Sequence, residues 1–230
     1  INFAFTSCFS KFIGFLILAK SVGAKLIQTP RTSDFKYDIE AMVKKITPQT
    51  KIVYIANPDN PTGTYTTKAE FDYLMKHVPE HTIVILDEAY FEFAQSTWDY
   101  PDSMNYRYDN VITLRTFSKA YGLAGIRCGY GFGHEYLIKN LHKVKLPFEP
   151  SLVAQNGAFG ALTDYPHLKR TLENNKEGLQ KLFNFLTLEG FKPIASVTNF
   201  LTFQTKSPKA SDDLFNLLLE EGVIIRPLKA

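Results

Sequence analysis

Hydrophobic positions follow two rhythms along the chain. Short apolar, β-branched runs at residues 25–29, 51–56, 82–86, 110–115 and 128–132 read as strands. Several are apolar at consecutive positions, as parallel strands covered on both faces must be. Longer segments at about residues 11–22, 38–46 and 67–77 carry apolar residues at helical spacing. Asp38 is placed to cap the second of these, and Thr67 with Glu70 forms a capping box for the third. Strands alternating with helices predict right-handed βαβ units, hence a three-layer α/β fold around a mostly parallel sheet.

From about residue 134 to 190 the pattern turns helical, and the run 171–189 sets Leu172, Leu179, Leu182, Phe183 and Leu186 near one face. Residues 192–205 then read as extended chain, 212–221 as a helix and 223–228 as a strand. This closing group lacks the earlier βαβ rhythm. It predicts a large domain over 1–165 and a smaller α+β domain over 166–230, joined by a helix because no Gly/Ser linker intervenes. The chain begins at Ile1 and stops at Ala230 directly after the last expected strand, so both domains are expected to be incomplete.

Composition narrows the class. The 230 residues are 45% hydrophobic and 21% charged, with a formal net charge of +3. That is a globular balance and excludes disordered, collagenous and coiled-coil chains. The charges are scattered, so neither nucleic acid nor a membrane surface is an expected partner. Residues 12–19 resemble the apolar stretch of a secretory signal, but a bilayer needs about 20 apolar residues, and the segment reads as a buried helix. Cys8 and Cys128 form no disulfide framework and fit a reducing, cytoplasmic setting. His77 and His81 have the spacing of a helical metal pair, yet Pro79 and Glu80 lie between them and no metal is expected. Residues 129–133 (GYGFG) lack the spacing of a dinucleotide fingerprint and read as a tightly packed strand.

Ligands in parallel sheets bind beyond the carboxyl ends of the strands, so the residues following each run matter most. Residues 57–63 (NPDNPTG) form a rigid polar loop able to hold an amide in fixed geometry. Residues 87–90 (DEAY) put a carboxylate at the end of an apolar strand, where it must be paired or solvated to stay ionised. A salt bridge to a core neighbour is the bland alternative. Residues 116–119 (TFSK), followed by Gly122, Gly125 and Arg127, place hydroxyls, a lysine and an arginine around a glycine-rich turn. Such a turn suits phosphate, and a partly desolvated lysine can add to a carbonyl carbon. Together these residues match the needs of pyridoxal phosphate: a lysine for the Schiff base, a carboxylate for the pyridine nitrogen, an amide and a phenol for the ring oxygen, and an anion site.

The motifs at 57–63, 87–90 and 116–130 (TFSKAYGLAGIRCGY) resemble those of the fold-type I aminotransferases of class I/II, and within them the histidinol-phosphate aminotransferase family. The resemblance implies that Lys119 forms the Schiff base and serves as base for the 1,3 proton shift. It implies further that Asp87 pairs with the pyridinium, that Asn60 and Tyr90 bind the ring hydroxyl, and that Thr116, Ser118 and Arg127 take the cofactor phosphate. Phe12 falls where the family stacks an aromatic on the ring, although Ser10 stands where the family has Pro. Arg226 matches an arginine that contacts substrate phosphate, with a surface charge as the alternative, and Asn199 lies in a segment that approaches the site. The implied reaction transfers the amino group between L-histidinol phosphate and 2-oxoglutarate in a homodimer. Alternatives are an aromatic aminotransferase, a threonine-phosphate decarboxylase, the pyridoxal-phosphate-binding sensor domain of a transcription regulator, or a non-catalytic fragment.

Overall fold

A computed structural model of the protein describes residues 4–8, 13–106 and 108–228, without the side chains of residues 4–8, Ile13 and Leu16. Its main sheet holds β1 (Ala4–Cys8), β2 (Lys25–Thr29), β3 (Thr50–Ala56), β4 (Ile83–Asp87), β5 (Val111–Thr116) and β6 (Gly129–Gly133) in the order β2-β1-β3-β4-β5-β6. The first five strands pair in parallel and β6 runs antiparallel to β5. A mostly parallel α/β sheet is therefore correct. All five expected strands lie within a residue of their observed bounds at both ends, while β1 was not expected at all. Its polar Thr6 and Ser7 weaken the apolar run, and pairing on both sides by β2 and β3 makes it a strand.

Helices line both faces. α2 (Ile39–Lys45) begins at Asp38, whose side chain accepts from the Ala41 N–H, and α3 (Lys68–His77) begins at the Thr67–Glu70 capping box. They pack Met42, Phe71 and Leu74 against Val53 and Ile55 of β3 and Val84 and Leu86 of β4. Because strand side chains alternate, Tyr54 and Asp87 project to the opposite face. There Phe15 of α1 (Ile13–Ser21) stacks on Tyr54 with ring centroids 4.1 Å apart. α1 forms where the apolar run predicts it, but it is not a buried helix: Ala19 is buried, whereas Ile17 and Leu18 are 58% and 68% exposed. One side of a helix covers one sheet face, and these two residues lie off that side.

The short α4 (Phe91–Ala94) follows β4, and a 3-10 turn (Ala124–Ile126) precedes β6. The glycines of β6 let it lie close to β5, since a Cβ on Gly129 would come 2.8 Å from the Arg115 carbonyl oxygen, but four of its five residues are exposed, so the tight packing expected holds toward β5 alone. Then follow α5 (Glu135–Val144), α6 (Leu152–Thr163) and α7 (Tyr165–Leu188). On α7, Leu186 is buried and Leu172, Leu179 and Phe183 are half-buried, but Leu182 is exposed.

Beyond α7 the expected extended chain contributes only β7 (Lys192–Pro193) and β8 (Phe203–Gln204), an antiparallel pair. α8 (Pro208–Glu220) starts earlier than the periodicity predicts because Ser207 caps it and Pro208 fits its first turn. The strand expected at 223–228 does not form. Those residues are apolar enough, but a strand exists only through a ladder, and they have none among the described residues. Among the described residues no helix is long and apolar enough to cross a membrane.

Candidate active site

Three neighbouring strands deliver the candidate residues to one end of the sheet. After β3, the loop 57–63 is pegged from several sides. The Asn57 side chain exchanges hydrogen bonds with the backbone of Thr66 at 2.9 and 3.1 Å, and its own N–H donates to the Asp87 carbonyl at 2.8 Å. Buried Asp59 accepts from the Thr62 hydroxyl at 2.6 Å and pairs with Arg31 at 2.9 Å. Gly63 turns with φ 77°, and Val197 donates to its carbonyl at 2.9 Å. With the loop so held, Asn60 donates from Nδ2 to the Tyr90 hydroxyl at 2.8 Å.

Asp87 ends β4. Its Oδ2 accepts from the Tyr54 hydroxyl at 2.6 Å and its Oδ1 from the Ala89 N–H at 3.2 Å. Burial pushes the Asp87 carboxyl above its ordinary pKa, opposed by the Tyr54 and Ala89 hydrogen bonds and by the charge of Lys119. Tyr54 is itself pushed far up by burial and by Asp87, so its phenol stays a donor.

After β5, the Thr116 hydroxyl accepts from the Ser118 N–H at 3.1 Å. Phe117 and Ala120 are buried, anchoring the turn so that Ser118 and Lys119 stay partly accessible. The turn closes through Gly122, φ 71°, whose N–H donates to the Lys119 carbonyl at 3.0 Å. Lys119 Nζ lies 5.3 Å from the centroid of the Tyr90 ring. Asn60, Asp87, Tyr90, Thr116, Ser118 and Lys119 thus occupy one strand-end cluster. Arg127, at a left-handed φ of 55°, follows the 3-10 turn and donates to the Ala124 carbonyl at 2.7 Å, with its side chain exposed.

Two expected residues stand apart from this cluster, and a third is not described. Phe12 lies outside the described residues. Asn199 is exposed, although its neighbours dock on the site: Phe200 meets Tyr90 edge-on at 5.2 Å between centroids, and the Thr202 hydroxyl donates to the Pro61 carbonyl. Arg226 is exposed and forms no ion pair among the described residues.

Comparison with known proteins agrees with this geometry. The family model described as aminotransferase class I and II matches residues 12–230. The chain belongs to that family. This aminotransferase-family chain is 42% identical over 206 residues to a histidinol-phosphate aminotransferase of Bacillus velezensis, covering 89% of the chain and 56% of that relative. It is 43% identical to histidinol-phosphate aminotransferase 2 of Carboxydothermus hydrogenoformans, covering 84% and 53%. The crystal structure of the Sinorhizobium meliloti histidinol-phosphate aminotransferase in complex with pyridoxal-5'-phosphate superposes with a TM-score of 0.91 at 28% identity, over 100% of the chain and 63% of that structure. The chain therefore spans little more than half the length of the curated relatives it matches.

Two partners at this strand-end cluster were not legible in the sequence. Tyr54 lies inside an apolar strand, and only its place two positions before the strand end hinted at a polar role. The Glu88–Arg115 pair was also missed. Arg115 Nε donates to Glu88 Oε2 at 2.8 Å, the Ser103 hydroxyl adds a bond at 2.8 Å, and the guanidinium lies 3.3 Å from the Phe91 ring centroid. The core salt bridge considered for Asp87 thus belongs to the residue beside it. Burial raises Glu88 to about 7 and Glu92 likewise to about 7. His77 and His81 turn to separate backbone carbonyls, those of Tyr73 and Pro48.

Proposed function

We propose that the protein is a pyridoxal-phosphate-dependent aminotransferase that transfers an amino group between L-histidinol phosphate and 2-oxoglutarate. The observation carrying this reading is the convergence of Asp87, the Asn60–Tyr90 pair and Lys119 at adjoining strand ends. The donor set suits the cofactor: a buried carboxylate for the pyridine nitrogen, an amide and phenol already in register for the ring hydroxyl, and an amine near both. When bound, pyridoxal phosphate supplies the electron sink that accepts the substrate's α-carbon electrons. Asp87 keeps the pyridine nitrogen protonated, and Asn60 with Tyr90 orients the ring hydroxyl. Lys119 would hold the cofactor covalently and, once the substrate amine had displaced it, would carry a proton from the substrate α-carbon to the cofactor. Thr116 and Ser118 offer hydroxyls to the cofactor phosphate, and Arg127 offers its exposed guanidinium. Arg226 and Asn199 are assigned to the substrate, Arg226 to its phosphate.

The curated relatives at 42% and 43% identity support the choice of histidinol phosphate over an aromatic amino acid. A homodimer is supported by apolar side chains left in the open along the α5–α6 region, including Val144, Phe148, Leu152 and Phe159. The division into a large domain to residue 165 and a smaller one beyond it is supported by the separate β7–β8 sheet. A cytoplasmic setting agrees with the free thiol of Cys128.

The test is turnover of the pyridoxal-phosphate-loaded protein with histidinol phosphate and 2-oxoglutarate, with inorganic phosphate as competitor. Turnover that phosphate suppresses is expected. Strong phenylalanine turnover indifferent to phosphate overturns the substrate assignment.

A further inference from the structure

We propose that Tyr54 is a positioning residue for Asp87: its hydroxyl fixes the plane of the carboxylate and keeps it ionised for the pyridine nitrogen of the bound cofactor. The inference rests on the cofactor reading above and adds a residue that acts through Asp87.

The register of the sheet sets up the contact. Ala56 pairs with Asp87 and Tyr54 with Ile85, so Tyr54 shares a sheet face with Asp87 and starts two positions behind it on the adjoining strand. A phenol is long enough to span that offset, and the hydroxyl arrives at Oδ2 with a 2.6 Å bond. The ring cannot swing away. Tyr54 is 3% exposed, and the Phe15 ring lies against it, inclined by 13°. On the other carboxylate oxygen the Ala89 N–H is fixed by the backbone at 3.2 Å. With one donor on each oxygen the carboxylate has a defined plane, and the remaining acceptor directions are where a ring nitrogen can be met.

The bond also bears on charge. An O–H donor to a carboxylate favours the ionised form and is stronger than a neutral hydrogen bond. Burial acts in the opposite sense on Asp87, and the Tyr54 hydroxyl heads the influences that resist it, ahead of the Ala89 N–H and Lys119. The other charged or titratable groups around the pair are Tyr90 and Asp59, the latter neutralised by Arg31. Among the described residues, Lys119 carries the opposing charge toward Asp87, from the β5 side.

Tyr54→Phe removes the hydroxyl and retains the ring that stacks on Phe15. Titration of the Asp87 carboxyl by carbon-13 NMR in the cofactor-free protein is expected to shift upward by about one pH unit. With pyridoxal phosphate, affinity is expected to fall about tenfold at neutral pH and the acid limb of binding to move up with Asp87. In turnover, kcat should fall while KM for the amino donor holds. Replacing Tyr54 by 3-fluorotyrosine strengthens the donor and should move the Asp87 titration downward, a readout that survives if Tyr54→Phe folds poorly. An Asp87 titration unmoved by either change overturns the inference, even in a protein that binds the cofactor normally. Failure of the unaltered protein to take up pyridoxal phosphate at any pH overturns the reading of the site instead, and with it the role given to Tyr54.

Discussion

The strand ends of the main sheet and the segment after α7 present their functional candidates in opposite ways. Asp87 ends a fully paired strand, and Asn60 and Lys119 stand on loops entered from such strands, over a core in which Val53, Phe71, Leu74 and Val84 are almost completely buried. Asn199 and Arg226 stand on a segment whose only strands among the described residues are two residues long and whose helix α8 buries no residue. The contacts of that segment with the site run through backbone and hydroxyl groups at Val197 and Thr202, and through Phe200. Geometry good enough for proton transfer calls for a rigid support, and the sheet provides it. Binding a substrate phosphate tolerates a looser support, because an arginine reaches its partner on a long side chain.

The sharpest test of this contrast is chemical. Lys119→Ala should lower turnover by about 1000-fold or more and abolish covalent retention of the cofactor, checked by steady-state assay and by absorbance after gel filtration. Retained turnover would remove the strand-end cluster from the reaction.

The two regions should also part in stability. Phe71→Ala is expected to cost about 3–5 kcal/mol in urea unfolding, whereas Leu217→Ala on the exposed side of α8 should stay within about 0.5 kcal/mol. Similar losses at both would mean that α8 is as well supported as the sheet.

A third test uses the buried carboxyls behind the site. Glu88 and Glu92 titrate near 7 in the folded protein because burial disfavours their charge, against a usual 4.5. The folded state therefore binds more protons than the unfolded state between those values, and their contribution to stability falls as pH rises from about 4.5 to about 7. Glu92 has an unpartnered carboxylate oxygen, so Glu92→Gln should flatten this slope and raise Tm at pH 8 by about 5 °C, with little change at pH 5. An unchanged slope would show that Glu92 is ionised when folded.

For the peripheral region, Arg226→Ala should raise KM for histidinol phosphate by about 10-fold or more with Tm unchanged, the value of one charge-assisted contact. The smallest effect is expected at a helix end: Thr67→Ala removes the capping box of α3 and should cost about 1 kcal/mol.

Legibility in the sequence follows the same contrast. β2 to β5 could be read closely because each is an apolar run between polar loops, and the capping residues Asp38 and Thr67 were identified from side-chain chemistry that acts within a few residues. β1 could not be read, since Thr6 and Ser7 interrupt the apolar run that marks the other strands and only pairing with β2 and β3 makes it one. The strand expected at 223–228 fails for the converse reason: local preference for extended chain was present and a partner was not. At the site, Asp87, Lys119 and Asn60 were legible through the motifs around them. Tyr54 was not, because nothing local distinguishes a tyrosine that packs from one that donates to a carboxylate on the next strand.

Class of fold, the capped starts of α2 and α3 and the identity of the groups able to handle a cofactor follow from residue order, because strand period, capping and motif chemistry are short-range properties. Tertiary structure alone decided which side chains meet. Parallel pairing of β3 with β4 brought Tyr54 to Asp87, pairing of β4 with β5 brought Glu88 to Arg115, and the return of the chain after α7 laid Phe200 on Tyr90. Each of these contacts joins residues far apart in the chain, and hydrogen bonds and ring contacts depend on distances that only the folded register defines.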